Sequence, residues 1–238
     1  DVGVAMGTKG PEDRKEAADM VLADDNFASI AYAVREGRRV YDNLKKTILF
    51  ILPTNLAQGL LVIVALLAGA QAPLTPLQIL WMNMATSITL AFGLAFEPAE
   101  PGMMQRRPRD PAKSILDGFA LWRIAFVGLL FTTSAFIMTK SLIAAGRDPD
   151  FIRTVILQTL VTAQWTYLFN CRLQDRWPIT PSMFRNKALW LVTILLGLLQ
   201  CALIYLPAMN RVFGTVPLPP EYWTLTLVAA AVLFCVVE

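Results

Sequence analysis

Amides and hydroxyls interrupt two strongly apolar stretches of this chain, Pro53-Thr54-Asn55-Leu56-Ala57-Gln58-Gly59 and Trp81-Met82-Asn83-Met84-Ala85-Thr86-Ser87. In hydrocarbon a polar side chain without a partner is expensive, so such groups face a bundle interior, where they pair or line an ion or substrate path. Asn55 and Gln58 stand three apart, and Asn83, Thr86 and Ser87 follow three-and-four spacing. Each set therefore falls on one helical face. Two such faces meeting around an ion would replace its hydration shell with neutral oxygens. The same spacing also suits interhelical hydrogen bonds that hold a membrane bundle together. For Gln164, set among Thr162, Trp165 and Thr166, the two readings stand equal.

The elements that must position these residues follow from composition. The chain is 55% hydrophobic and 16% charged, too apolar for an ordinary soluble domain and suited to several membrane spans. A net charge of +3 gives no reason to invoke nucleic acid. Cys171, Cys201 and Cys235 lie far apart and histidine is absent, which argues against a thiolate or imidazole metal cluster and for small buried thiols. Six apolar stretches, about 48–70, 77–96, 119–144, 153–171, 188–207 and 222–238, each approach the roughly 20 residues that a helix needs to cross about 30 Å. Pro53 predicts a kink or local unwinding in the first of them. Trp81, Trp122, Trp177, Trp190 and Trp223 fall near span ends and read as interface anchors.

Charge sets orientation. Arg35, Arg38, Arg39, Lys45 and Lys46 precede the first span, Arg106, Arg107, Arg109 and Lys113 follow the second, and Arg172, Arg176, Arg185 and Lys187 follow the fourth. The segment Gly69 to Pro76 has no basic residue. The basic loops belong in the cytoplasm, and an even number of crossings places both ends of the chain there. Arg106-Arg107-Pro108-Arg109 reads first as a topology determinant.

The first residues have a different character. Asp1-Val2-Gly3-Val4-Ala5-Met6-Gly7 reads as a short buried strand entering a glycine turn, Glu12 to Ala18 as a helix, and Met20 to Ala23 as a second strand. Asp24 and Asp25 suit the turn into a helix that Asn26 caps. Two short strands cannot hold a core alone, so the expectation is a piece of a larger protein whose soluble domain lies mostly upstream of Asp1.

Three blocks occur in order: Asp1 to Gly7, Lys15-Glu16-Ala17-Ala18-Asp19-Met20-Val21-Leu22-Ala23-Asp24-Asp25-Asn26-Phe27, and Glu36-Gly37-Arg38-Arg39-Val40-Tyr41-Asp42-Asn43-Leu44-Lys45-Lys46. With Leu74-Thr75-Pro76-Leu77-Gln78-Ile79-Leu80-Trp81-Met82-Asn83 and Phe96-Glu97-Pro98, the chain resembles the end of a P-type cation ATPase, most like the type II pumps for calcium, sodium and potassium. The resemblance implies an all-α transmembrane bundle of six helices preceded by a small α/β remnant of a phosphorylation domain. Residues 1–28 would end that domain, 29–47 form a cytoplasmic stalk, and 48–238 form the carboxy-terminal transmembrane domain. The parent would be an ATP-driven pump using ATP and Mg, both bound outside this fragment along with the phosphorylated aspartate. The fragment alone would be inactive, with no catalytic residue and no resident metal site. Its partners would be the transported cation, the lipid bilayer and the upstream part of the same pump. The alternative is a non-enzymatic six-helix channel or secondary transporter.

The resemblance also carries ligands over by position. The calcium pumps place an asparagine and then a glutamate on the fifth helix, where this chain has Asn55 and Gln58. They place an asparagine, a threonine and an aspartate on the sixth, where it has Asn83, Thr86 and Ser87. Their glutamate on the eighth aligns with Gln164. All three carboxylates are missing, and no acidic residue stands between Asp42 and Glu97. Calcium takes six to eight oxygens, commonly several from carboxylates, so a cation other than high-affinity calcium is expected.

Overall fold

The computed structural model describes residues 2–8, 10–108, 114–172 and 186–238, and the chain divides into two compact units, 1–42 with 99–108 and 43–98 with 109–238.

In the first unit, strands β1 (Val4–Met6) and β2 (Met20–Leu22) flank the short helix α1 (Glu12–Glu16) and pair in parallel, with Val4 opposite Met20. The strands are where the sequence places them, but β1 is not buried. Val4 and Val21 are 40% and 44% exposed, because a two-stranded sheet with one five-residue helix leaves apolar surface uncovered. Gly7 is required at the end of β1, since a Cβ there would lie 2.7 Å from the Leu22 carbonyl oxygen. The Asp24 carboxylate accepts from the Ser29 hydroxyl at 2.5 Å, which lowers its pKa below the usual carboxylate value. The Asn26 side chain accepts from the Ala28 amide at 3.0 Å. Helix α2 (Ala28–Leu67) begins there and runs 40 residues into the second unit. Arg38 donates to the carbonyls of Met103 and Arg106, while Arg106 pairs with Asp42 and Glu100. Arg106 is thus engaged within this unit; Arg109 and Lys113 lie outside the described residues.

The second unit is helical. After α2 come α3 (Pro76–Trp81), a π-helical stretch (Met82–Ile88) and α4 (Thr89–Ala95), forming one 20-residue rod. Then follow α5 (Gly118–Ala144), α6 (Pro149–Arg172), α7 (Lys187–Tyr205), the short α8 (Pro207–Phe213) and α9 (Pro220–Val237). The starts are written locally. Thr75 and Gln78 make a reciprocal capping box with Pro76 just inside, while Asp117 and Asn186 accept from the backbone three residues on. Among the described residues, five helical segments are long and apolar enough to cross a bilayer: α2, the 76–95 rod, α5, α7 and α9. Six were expected. Helix α6 is long enough at 24 residues but too polar, and it is buried along most of its length, so neighbouring helices rather than lipid solvate its Thr and Gln side chains.

Tyr167 of α6 sits at the centre of the core. Its ring stacks on Phe50 and meets Phe131 edge-on. Its hydroxyl donates to the Leu49 carbonyl at 2.8 Å. Leu49 lies four residues before Pro53, so this carbonyl is the one that proline deprives of its helical partner. Pro53 therefore causes no unwinding: α2 continues through it, and the departure from α-helical pairing comes instead in the π-helical stretch Met82–Ile88. Tyr167→Phe is expected to cost about 1–3 kcal/mol, the penalty of leaving a buried carbonyl unsatisfied. In a Pro53→Ala background, where an amide returns, the loss should fall below about 1 kcal/mol. Denaturant unfolding of the four proteins in a double-mutant cycle measures the coupling; equal losses in both backgrounds would reject the pairing.

Long-range contacts also revise other sequence-based expectations. Trp81 is buried rather than interfacial, packs edge-on against Phe213 and donates to Gln200 Oε1. Trp122 is exposed, Trp190 and Trp223 are half-buried, and Trp177 lies outside the described residues. Cys171 is buried but Cys201 and Cys235 are exposed, on helix faces that a bilayer would cover. Arg172 is no loop charge. It is 1% exposed and binds Glu97 Oε1 at 2.7 Å, while Asn186 donates to Glu97 Oε2 at 2.5 Å. Asn43 donates to the carbonyls of Ala95 and Glu97. Four helices are thereby tied around the end of α4.

Candidate functional site

The π-helical stretch carries Asn83, Thr86 and Ser87. A π turn widens the helix and displaces its carbonyls from α-helical pairing, and such turns occur often at functional sites. The sequence reading missed this feature, and no residue type in Met82–Ile88 announces it.

Thr86 is fully buried, and its hydroxyl faces two acceptors, the Met82 carbonyl and Gln164 Oε1, the latter at 2.6 Å. A hydroxyl carries one proton, so it can donate to only one of these acceptors at a time. Gln164 is 1% exposed and belongs to α6, so this contact joins the π stretch to the most buried helix of the bundle.

Asn55, Asn83 and Ser87 line a second feature, a groove of 440 Å³ walled by Ile51, Leu80, Met84 and Ile88. Asn83 is half-buried, and its Oδ1 has no hydrogen-bond partner. Ser87 is buried, and its Oγ likewise has none. Asn55 is exposed, on the apolar α2. Gln58, one turn further along, is buried with an unpartnered Nε2. The structure thus brings Asn55, Asn83 and Ser87 to one groove and Thr86 to Gln164, with Gln58 buried on the helix that also carries Asn55. Among the described residues no group of three or more His, Cys, Asp or Glu could hold a metal ion.

A further polar chain lies in the same helices. Trp81 Nε1 donates to Gln200 Oε1 at 3.4 Å, Gln200 Nε2 to Gln158 Oε1 at 2.8 Å, and Gln158 Nε2 to Thr162 Oγ1 at 3.4 Å. Gln158 and Gln200 were not singled out in the sequence, although a glutamine within an apolar helix is the same clue that marked Gln58. Unlike Gln58, they are satisfied by each other.

Two glycines set how closely the helices approach. A Cβ on Gly128 would lie 2.8 Å from Leu56 Cδ2, and one on Gly93 would lie 3.0 Å from Val192 Cγ2. Small residues at such crossings let membrane helices pack closely. At Gly128 the contact presses α5 against the residue that follows Asn55.

Residues 71–238 match the family described as the cation transporting ATPase C-terminus. A probable cation-transporting ATPase F of Mycobacterium tuberculosis is 43% identical over 236 residues, 99% of this chain and 26% of that protein. The cation-transporting ATPase pma1 of Synechocystis is 37% identical, over 95% of this chain and 26% of its own length. A calcium-transporting ATPase of Bacillus subtilis is 33% identical, over 98% of this chain and 26% of its own length. The chain spans about a quarter of the length of these relatives.

Proposed function

Because the chain belongs to the P-type cation-transporting ATPases and matches their carboxy-terminal region, we propose that it forms the membrane part of an ATP-driven pump that holds the transported cation among Asn55, Gln58, Asn83, Thr86, Ser87 and Gln164. It is an integral membrane protein by the five apolar helices among its described residues and by its family. In the proposal α6 is a sixth crossing, shielded from lipid by its neighbours, and both ends of the chain are cytoplasmic. Residues 1–28 then end a phosphorylation domain and 29–47 form a stalk, whose movement reaches Asn55 and Gln58 along the unbroken α2. ATP and Mg bind in the upstream part of the pump.

The observation that carries the site is the pair of unpartnered oxygens at the π turn, Asn83 Oδ1 and Ser87 Oγ. A buried oxygen lacking a donor loses about 1–3 kcal/mol, and a cation with its remaining water is the ligand that recovers it. The donor set is neutral, and the acidic gap from Asp42 to Glu97 leaves two charges uncompensated if the ion is divalent. A monovalent or less usual cation therefore fits better than calcium, despite the name of the Bacillus relative.

The test is ATP turnover by the purified full-length protein across a panel of monovalent and divalent cations. Stimulation by a monovalent ion, weakened at least tenfold in half-saturating concentration by Asn83→Leu, is the expected outcome. Cation flux that is independent of ATP would favour the channel alternative instead.

A further inference from the structure

A cavity of 310 Å³ lies where α5 begins and α6 and α9 end, remote in sequence from the π turn. Lys45, Asp117, Trp122, Arg123, Asn170 and Glu238 are among its lining residues. Its volume falls at the lower end of the roughly 300–1,000 Å³ range of small-molecule sites. It far exceeds the ~30 Å³ share of one water.

Two buried polar atoms of that lining lack partners, and they are of opposite kinds. Arg123 donates through Nη2 to the Asn170 carbonyl at 3.0 Å, yet its Nε–H has no acceptor. Asn170 is 1% exposed and donates through Nδ2 to Glu238 Oε2 at 2.8 Å, yet its Oδ1 has no donor. Lys45 and Asp117 stand 3.8 Å apart, an ion pair too long for a good hydrogen bond. The charged lining thus comprises two cations and two carboxylates. A lone anion or a lone cation meets as much repulsion as attraction there, whereas a ligand carrying both signs meets both complements. The ring of Trp122 stacks between Phe119 and Phe126 at centroid distances of 6.0 and 5.1 Å, and Phe119 and Trp122 are 68% and 59% exposed. Exposed aromatics in the first turns of a membrane helix lie at headgroup depth.

We propose that this cavity binds the headgroup of a phospholipid with a primary ammonium, of the phosphatidylethanolamine class. The phosphate accepts from Arg123 Nε and Lys45 Nζ, and the ammonium donates to Asn170 Oδ1 and to the carboxylates of Asp117 and Glu238. The acyl chains leave along Phe119 and Trp122. The primary ammonium is the discriminating element, because a trimethylated choline head has no N–H for Asn170 Oδ1. A phosphatidylglycerol head brings a phosphate without the cation that the two carboxylates require.

Native mass spectrometry of the detergent-purified full-length protein tests this directly. Equal amounts of phosphatidylethanolamine, phosphatidylcholine and phosphatidylglycerol are offered, and inorganic phosphate is tried separately. The expected result is one retained phosphatidylethanolamine per protein, favoured at least fivefold over the other two lipids. Arg123→Gln should abolish that preference. Should Arg123→Gln not fold, the same comparison with Trp122→Leu, at an exposed position, should show weakened retention. Equal retention of the three lipids by the unmodified protein overturns the proposal, as does displacement of the lipid by inorganic phosphate alone. Neither outcome bears on cation transport, which is read by ATP turnover.

Discussion

Full-length pump carrying Gln58→Glu together with Ser87→Asp is expected to respond to calcium at concentrations at least tenfold below those that affect the unmodified protein. The physical ground is charge. A unit carboxylate 4 Å from a unit positive charge contributes about 4 kcal/mol at an effective dielectric of about 20, and a divalent ion doubles the attraction. Desolvation of the two new acids opposes this. Calcium-stimulated ATP turnover across a calcium titration measures the balance. Micromolar calcium stimulating the unmodified pump would defeat the proposed ion choice, whatever the double variant does.

Removing either partner of the buried Glu97–Arg172 pair should destabilise the protein by about 3–5 kcal/mol, the usual cost of breaking a buried ion pair from one side. Glu97→Ala takes its carboxylate away from Arg172, which is 1% exposed, and also removes the acceptor of Asn186. Arg172→Ala takes the guanidinium away from Glu97, which is 4% exposed and keeps the hydrogen bond from Asn186. The apolar double replacement, Glu97→Met with Arg172→Met, should lose less than either single change, because it leaves neither charge behind. Unfolding of the purified full-length variants in detergent supplies the comparison. Single variants within about 1 kcal/mol of the parent would show that the pair is solvated and that its ties among α4, α6 and α7 are weak.

Much of the helical framework could be read from local chemistry. Asn26 announces one helix start, and the apolar runs give the lengths. What escaped notice depends on residues far apart in the chain. Pro53 by itself says that a carbonyl is freed, and the remedy is Tyr167, more than a hundred positions later. Arg172 looks like a loop charge until Glu97 is placed beside it, and Trp81 looks like an interface anchor until Gln200 is. Helix α6 falls below the usual apolarity of a span because burial by neighbours, rather than exposure to lipid, governs which side chains it tolerates. In the candidate site, helical spacing puts Asn83, Thr86 and Ser87 on one face, whereas Asn83 and Ser87 line one groove and Thr86 turns to Gln164. It does not anticipate Asn55 on an exposed face. Nor does it anticipate the π turn, which arises from backbone pairing that no residue in that stretch encodes alone.

The Trp81–Gln200–Gln158–Thr162 chain has a consequence for the membrane's electrical integrity. Its hydrogen bonds run in one direction and end at the Gln158 carbonyl, which accepts from Thr162 at 2.7 Å. Every side-chain member is an indole, an amide or a hydroxyl, none of which takes up or releases a proton near neutral pH. Proton relays through membranes are built on Asp, Glu and His, and this chain has no histidine at all. A row of amides of this kind lets a long polar helix run through the bundle without placing a titratable side chain there. Protons driven by a membrane voltage find no acid or base to step onto along these residues.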